Sequence, residues 1–247
     1  MIGILYFSST GNSLYIAQKV QHTMGGQIKY IPSYEGDGSE FDRIILVTPI
    51  YSYGMPTFVY DILPRLNKTT ELFIIQNYGG MICGADYFIY QYAKEQGLNV
   101  KAVYVLKMPE NFTTTFTVPK FYINSTLKSA DKRIEKVINR ISLGDYRVPK
   151  KCKIKSEVYF KNKSNWHLIG EDFSTTDACA KCGKCISICP ADNICLKDGK
   201  IEFSNKCVAC LGCYHRCPQK AIVYKKNMKK DRYINPYVKE SQIGKDM

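Results

Sequence analysis

Residues 2–20 read IGILYFSSTGNSLYIAQKV, and three physical regimes follow one another within them. Ile2 to Phe7 is an apolar run without a charge, as expected of a strand covered on both faces. It stops at Ser8-Ser9-Thr10-Gly11-Asn12-Ser13, small and polar residues suited to a sharp turn. Leu14, Ile16, Ala17 and Val20 then recur at helical spacing until Gly25-Gly26 ends the helix. Strand, polar loop and helix form the opening unit of a parallel α/β sheet.

The same alternation continues. Strands are predicted at Gln27–Ile31, Arg43–Ile50, Glu71–Gln76 and Leu98–Leu106, with helices at Phe58–Leu66, Ile82–Gln96 and Asn124–Ile141. The last helix places Leu127, Ile134, Val137, Ile138 and Ile141 on one face. Five strands alternating with helices predict a doubly wound α/β domain over residues 1–144, a parallel sheet of order 2-1-3-4-5 covered on both faces. Residues 145–172 are Lys-rich and weakly patterned, as expected of a connection. Residues 173–224 form a smaller cysteine-rich α+β domain, and the basic tail 225–247 is expected to be ordered only in part.

Nine of the 11 cysteines fall in the 39 residues from Cys179 to Cys217, and all of these but Cys195 form a repeat. Cys179, Cys182, Cys185 and Cys189, followed by Pro190, recur 28 residues later as Cys207, Cys210, Cys213 and Cys217, followed by Pro218. Lys197-Asp198-Gly199-Lys200 supplies a hairpin turn between the halves. A CxxCxxC loop presents three thiolates to an iron–sulfur cube while its amides face the sulfides. In two-cluster ferredoxins the fourth cysteine, before the proline, serves the other cube. The expected sets are therefore Cys179, Cys182, Cys185 and Cys217 for one 4Fe-4S cluster, and Cys207, Cys210, Cys213 and Cys189 for the other. Zinc fingers separate CxxC pairs by a longer spacer, so the tandem units argue against zinc. Cys83, Cys152 and Cys195 receive no ligand role, and His22, His167 and His215 form no metal site.

The loop Ser8–Ser13 lies where a helix start favours an anion. It has neither the lysine of a nucleoside-triphosphate loop nor GxGxxG, and its hydroxyls and amides suit a phosphate monoester. Thr48-Pro49-Ile50-Tyr51-Ser52-Tyr53-Gly54 follows the third strand, and Asn77-Tyr78-Gly79-Gly80 the fourth. With strand order 2-1-3-4-5 these loops share one crevice at the topological switch point. Tyr51, Tyr53 and Tyr78 there offer flat surfaces for a flavin ring.

Through these loops residues 1–144 resemble the flavodoxin family. With Cys179–Cys217 attached, the chain resembles the flavodoxin–ferredoxin fusion family of bacterial electron-transfer proteins. The resemblance implies FMN in the first domain. Ser13 stands where flavodoxins often have Thr, and no acidic cluster surrounds the ring loops. Met108–Phe112 and Arg232–Pro236 also look family-like.

The expected function is an intracellular electron carrier that exchanges electrons with redox partner proteins. The alternatives are a flavin-dependent reductase of a quinone, nitro compound or enone, and, more remotely, a redox sensor. The net charge of +13 falls to roughly +7 once two oxidised clusters and a flavin phosphate are counted. That balance suits docking of an acidic redox protein and does not call for nucleic acid. Met1 leads directly into a strand, with no leader-like segment and no apolar run long enough for a membrane span, so a reducing cytoplasmic location is expected. Oligomeric state is not legible.

Overall fold

A computed structural model describes residues 1–114, 117–152, 156–225 and 231–247. Its first half is organised by the apolar strands. β1 (Ile2–Tyr6), β2 (Gln27–Tyr30), β3 (Arg43–Pro49), β4 (Glu71–Tyr78) and β5 (Asn99–Lys107) form a parallel sheet of order β2-β1-β3-β4-β5. Ile4–Phe7, Ile44–Val47 and Leu72–Ile75 are buried, so the central strands are enclosed on both faces.

Between β1 and β2 runs α1 (Asn12–Met24), whereas α2 (Thr57–Ile62) and α3 (Ala85–Glu95) belong to connections running the opposite way across the sheet. Right-handed crossovers consequently place them on opposite faces. α1 packs with α5 (Ala130–Leu143), and Tyr60 of α2 meets Phe88 of α3. The strand order reverses between β1 and β3, the place where a doubly wound sheet opens a crevice.

Three stretches differ from expectation. The helix expected at Asn124–Ile141 is two helices, α4 (Lys120–Lys128) and α5, joined at Ser129. Arg133 secures the break by donating to Ser129 Oγ and to the carbonyls of Lys107 and Thr126.

Within the stretch expected to connect the domains lie α6 (Ser156–Ser164) and α7 (Trp166–Glu171), while residues 153–155 of it are outside the described residues. These helices are held by aromatic packing. Tyr159 is fully buried, with ring centroids 5.6 Å from Tyr60, 5.5 Å from Phe88 and 5.8 Å from Trp166, and its hydroxyl donates to Met55 O at 2.6 Å.

In the tail, residues 226–230 lie outside the described residues, but 231–247 pack on the first domain. Tyr6 Oη accepts from the amides of Gly244 and Lys245. Met247 and Ile28 exchange both main-chain bonds, which pairs the edge of β2 that faces away from the sheet.

The cysteine-rich part contains β6 (Phe173–Thr175), α8 (Lys184–Ser187), β7 (Ile194–Lys197), β8 (Lys200–Phe203), α9 (Gly212–Arg216) and β9 (Ile222–Tyr224). β6 pairs with β9 and β7 with β8, both antiparallel. The predicted turn joins β7 to β8 through Asp198 (φ 47°) and Gly199 (φ 71°), both left-handed as a two-residue hairpin prefers. The sequence repeat is also a backbone repeat. Lys181, Gly183 and Asp192 have positive φ, as do their counterparts Ala209, Leu211 and Lys220.

Candidate functional site

At the carboxyl ends of β3, β4 and β5 lies a cavity of about 570 Å³. Pro49, Ile50, Tyr51, Ser52 and Tyr53 line it from the loop after β3, and Asn77, Tyr78, Gly79 and Gly80 from the end of β4 and the turn beyond. The β3 loop closes tightly because Tyr51 and Gly54 exchange main-chain bonds around Ser52 (φ 49°) and Tyr53 (φ 68°). Gly54 lies outside the cavity lining, beneath Tyr159. A Cβ on it would stand 2.1 Å from that ring. Thr48 is fully buried behind the lining.

From the Ser8–Ser13 loop only Asn12 lines the cavity. The other side chains are tied to the protein itself. Ser8 Oγ accepts from Gly11 N, Thr10 Oγ1 from Asn111 Nδ2, and Ser13 Oγ from Asn77 Nδ2, while Ser9 Oγ is 3.4 Å from Tyr51 Oη. α1 starts at Gly11 (φ 95°) with no side-chain cap, which leaves the positive end of its dipole to the loop. The tail roofs the loop: Asn235 N donates to Thr10 O, and a Cβ on Gly11 would lie 2.5 Å from Val238.

Several walls were not assigned to a site from sequence. Pro109–Phe112 come from the loop after β5, whose family-like pattern was the available signal, and Asn162, Asn165, Trp166 and Ile169 from α6, α7 and the junction between them. Trp166 stands edge-on to Tyr51 at 6.3 Å. Ala209, Cys210 and Leu211 complete the lining from the second cysteine loop.

The eight cysteines of the repeat surround two small cavities. Cys179, Cys182, Cys185 and Cys217 line one, and Cys189, Cys207, Cys210 and Cys213 the other, so each fourth cysteine crosses to the opposite set. Asn193 N donates to Cys189 Sγ and Ala221 N to Cys217 Sγ, both at 3.3 Å, in corresponding places of the repeat. Burial pushes the Cys210 thiol up to about 12 and the Cys213 thiol well above its ordinary value. Burial thus disfavours the bare thiolate at both positions. Cys83, Cys152 and Cys195 line neither cavity.

His215 lies between cysteines of the two sets and is buried. Tyr233 N donates to its Nδ1 at 3.0 Å, so the proton is on Nε2, which donates to Asn111 O at 2.7 Å. Burial pushes its pKa down to about 4.

A doubly wound domain of flavodoxin-like strand order is thus joined to a cysteine module with two four-sulfur cradles. Residues 150–222 match the family model of the 4Fe-4S dicluster domain. The chain joins a flavodoxin-like domain to a ferredoxin-like 4Fe-4S module.

Among solved structures, the fold is similar to that of two-electron reduced Megasphaera elsdenii flavodoxin, at 20% identity over 42% of this chain and 85% of that one, with a TM-score of 0.37. Fusobacterium nucleatum flavodoxin bound to flavin mononucleotide gives 16% identity over 59% and 98%, with a TM-score of 0.42. A flavodoxin from the domain Archaea gives 16% over 56% and 99%, with a TM-score of 0.37. A search of curated proteins found no match. Among the described residues no helix is long and apolar enough to cross a membrane.

Proposed function

We propose that the chain is an electron-transfer iron–sulfur flavoprotein, with FMN in the large cavity and a 4Fe-4S cluster in each cysteine cradle. The observation that carries this reading is the shared wall: Cys210 and Leu211 line both the large cavity and the cradle of Cys189, Cys207, Cys210 and Cys213. When bound, FMN supplies an exchange between two-electron and one-electron chemistry, and each cluster a one-electron site.

The residues present suit these groups. Tyr51, Tyr53 and Tyr78 give the cavity flat aromatic walls, and Asn77 with the Gly79–Gly80 turn offers polar atoms to a ring edge. The uncapped start of α1 favours the phosphate end, reached past Asn12. In each cradle four sulfurs meet main-chain amides, the donor set of a cubane. Trp166 and Ile169 of α7 help to exclude water from the side facing Cys210. Redox partner proteins, acidic ones included, complete this reading.

Trp166 is the only tryptophan, so titrating FMN into the anaerobically reconstituted chain tests the cavity assignment. Stoichiometric quenching of its emission is expected. Unchanged emission with FMN in excess contradicts the assignment.

A second reading is favoured by the placement of Asn111 beside Tyr51 and Tyr53 in the cavity, with exposed Met81 and Phe112 also in its lining. In it, a quinone, nitro compound or enone accepts electrons at the flavin. Turnover of such a substrate by the FMN-loaded chain supports that reading, and its absence across all three classes removes it.

A further inference from the structure

Asn12 and Asn111 line the large cavity, and both belong to a closed circuit of buried and part-buried hydrogen bonds. His215 Nε2 donates to Asn111 O at 2.7 Å. Two residues back along that loop, Pro109 O accepts from Asn12 Nδ2 at 3.0 Å. Asn12 Oδ1 accepts from Tyr233 Oη at 2.6 Å, and Tyr233 N returns to His215 Nδ1 at 3.0 Å. Asn111 is held at its other end as well, because its Nδ2 donates to Thr10 Oγ1 at 2.9 Å. The circuit joins four segments: the cysteine module, the loop after β5, the start of α1 and the tail. His215 is its member from the cysteine module.

The placement of that imidazole is directional. Cys213 on one side of it belongs to one cradle and Cys217 on the other side to the second. The Tyr214 and His215 rings meet edge-on at 5.1 Å, and His215 is only 3% exposed. A buried ring with one acceptor and one donor nitrogen, each satisfied, accepts a single orientation. Asn111 O is accordingly held at a fixed distance from the helix that bears Cys213.

We propose that His215 is a positioning residue for the large cavity. Through Nε2 it holds Asn111, and with it the β5 side of the cavity wall, in the geometry that grips the flavin. This rests on the FMN reading above. The bond to Tyr233 on Nδ1 serves to orient the ring, so the two nitrogens have separable roles.

Their separation gives the test. His215→Gln keeps a donor near the position of Nε2 and loses the Nδ1 acceptor, whereas His215→Asn keeps an acceptor near Nδ1 and loses the donor. His215→Ala loses both. Each variant is reconstituted anaerobically, its iron is counted, and FMN affinity is measured by quenching of Trp166. Loss of the bond to Asn111 is expected to weaken FMN binding about tenfold in the Asn and Ala variants, or about 1.4 kcal/mol. The Gln variant binds like the parent, and iron content is unchanged in all three.

Equal affinity in the Gln and Asn variants, or parental affinity in the Ala variant, overturns the proposal. So does loss of iron from all three, which makes His215 a residue of the cradle fold alone. A parent chain with full iron that binds no FMN contradicts the FMN reading itself, a result distinct from these.

Discussion

Replacing Tyr159 with Ala would remove the anchor that fastens α6 and α7 to the sheet domain. The side chain is fully buried against the rings of Tyr60, Phe88, Phe160 and Trp166, and its hydroxyl donates to a buried carbonyl. Truncating a buried aromatic to alanine costs about 3–5 kcal/mol, and the lost hydrogen bond about 1 more. Partial collapse of the site recovers some of this, leaving about 4–5 kcal/mol. For a chain of this size the apparent Tm then falls by roughly 10–20 °C.

Tyr159→Phe removes only the hydroxyl and costs about 1–2 kcal/mol. Thermal melting of the reconstituted protein, followed by Trp166 emission, measures both variants. Trp166 is buried, so its emission moves to longer wavelength as α7 loosens in the Ala variant, and FMN quenches it less. A loss in the Ala variant of under about 1 kcal/mol with unmoved emission refutes the idea that these helices are a fixed wall of the cavity.

Three further outcomes are expected. Cys217→Ala damages the cradle of Cys179, Cys182 and Cys185, taking iron from about eight to about four per chain with the other cluster's signal retained; loss confined to the Cys207 side contradicts the crossed grouping. His215, whose pKa is held at about 4 against an ordinary value near 6.5, makes stability depend on pH. The unfolded chain binds the extra proton, so this stabilisation is complete above pH 6.5 and is lost as pH falls toward 4, by about 2 kcal/mol at pH 5. A melting series from pH 7 to 5 is therefore flatter for His215→Gln than for the parent, and parallel series contradict the assignment. Gly11→Ala forces a side chain into φ 95° and against Val238, costing about 2–3 kcal/mol and raising proteolysis of the tail; an unchanged melt argues against the close tail packing.

The parts of this architecture legible in the sequence are those whose cause is local. The β1 and β3 runs are apolar because both faces are covered, and Ser8–Ser13 announces a turn. The cysteine repeat is visible in its spacing, and the fold gathers its eight members around two cavities. What was not legible depends on partners far along the chain. α6 is Lys-rich and weakly amphipathic, and Tyr159 gains meaning only beside Tyr60 and Phe88. The tail is polar in composition, yet Tyr233 and Asn235 are buried because Asn12 and Thr10 receive their hydrogen bonds. The break at Ser129 depends on Arg133 reaching the carbonyl of Lys107. His215 has no metal-site spacing, and its role arises only when the β5 loop and the tail meet it.

In the function proposed, one chain holds a flavin and two cubanes across a shared wall at Cys210. Anaerobic purification and reconstitution, with iron, sulfide and flavin counted on the same sample, tests it most directly. About eight irons, eight sulfides and one FMN per chain are expected. Zinc in the cysteine cradles, or a chain with full iron that retains no FMN, would contradict it.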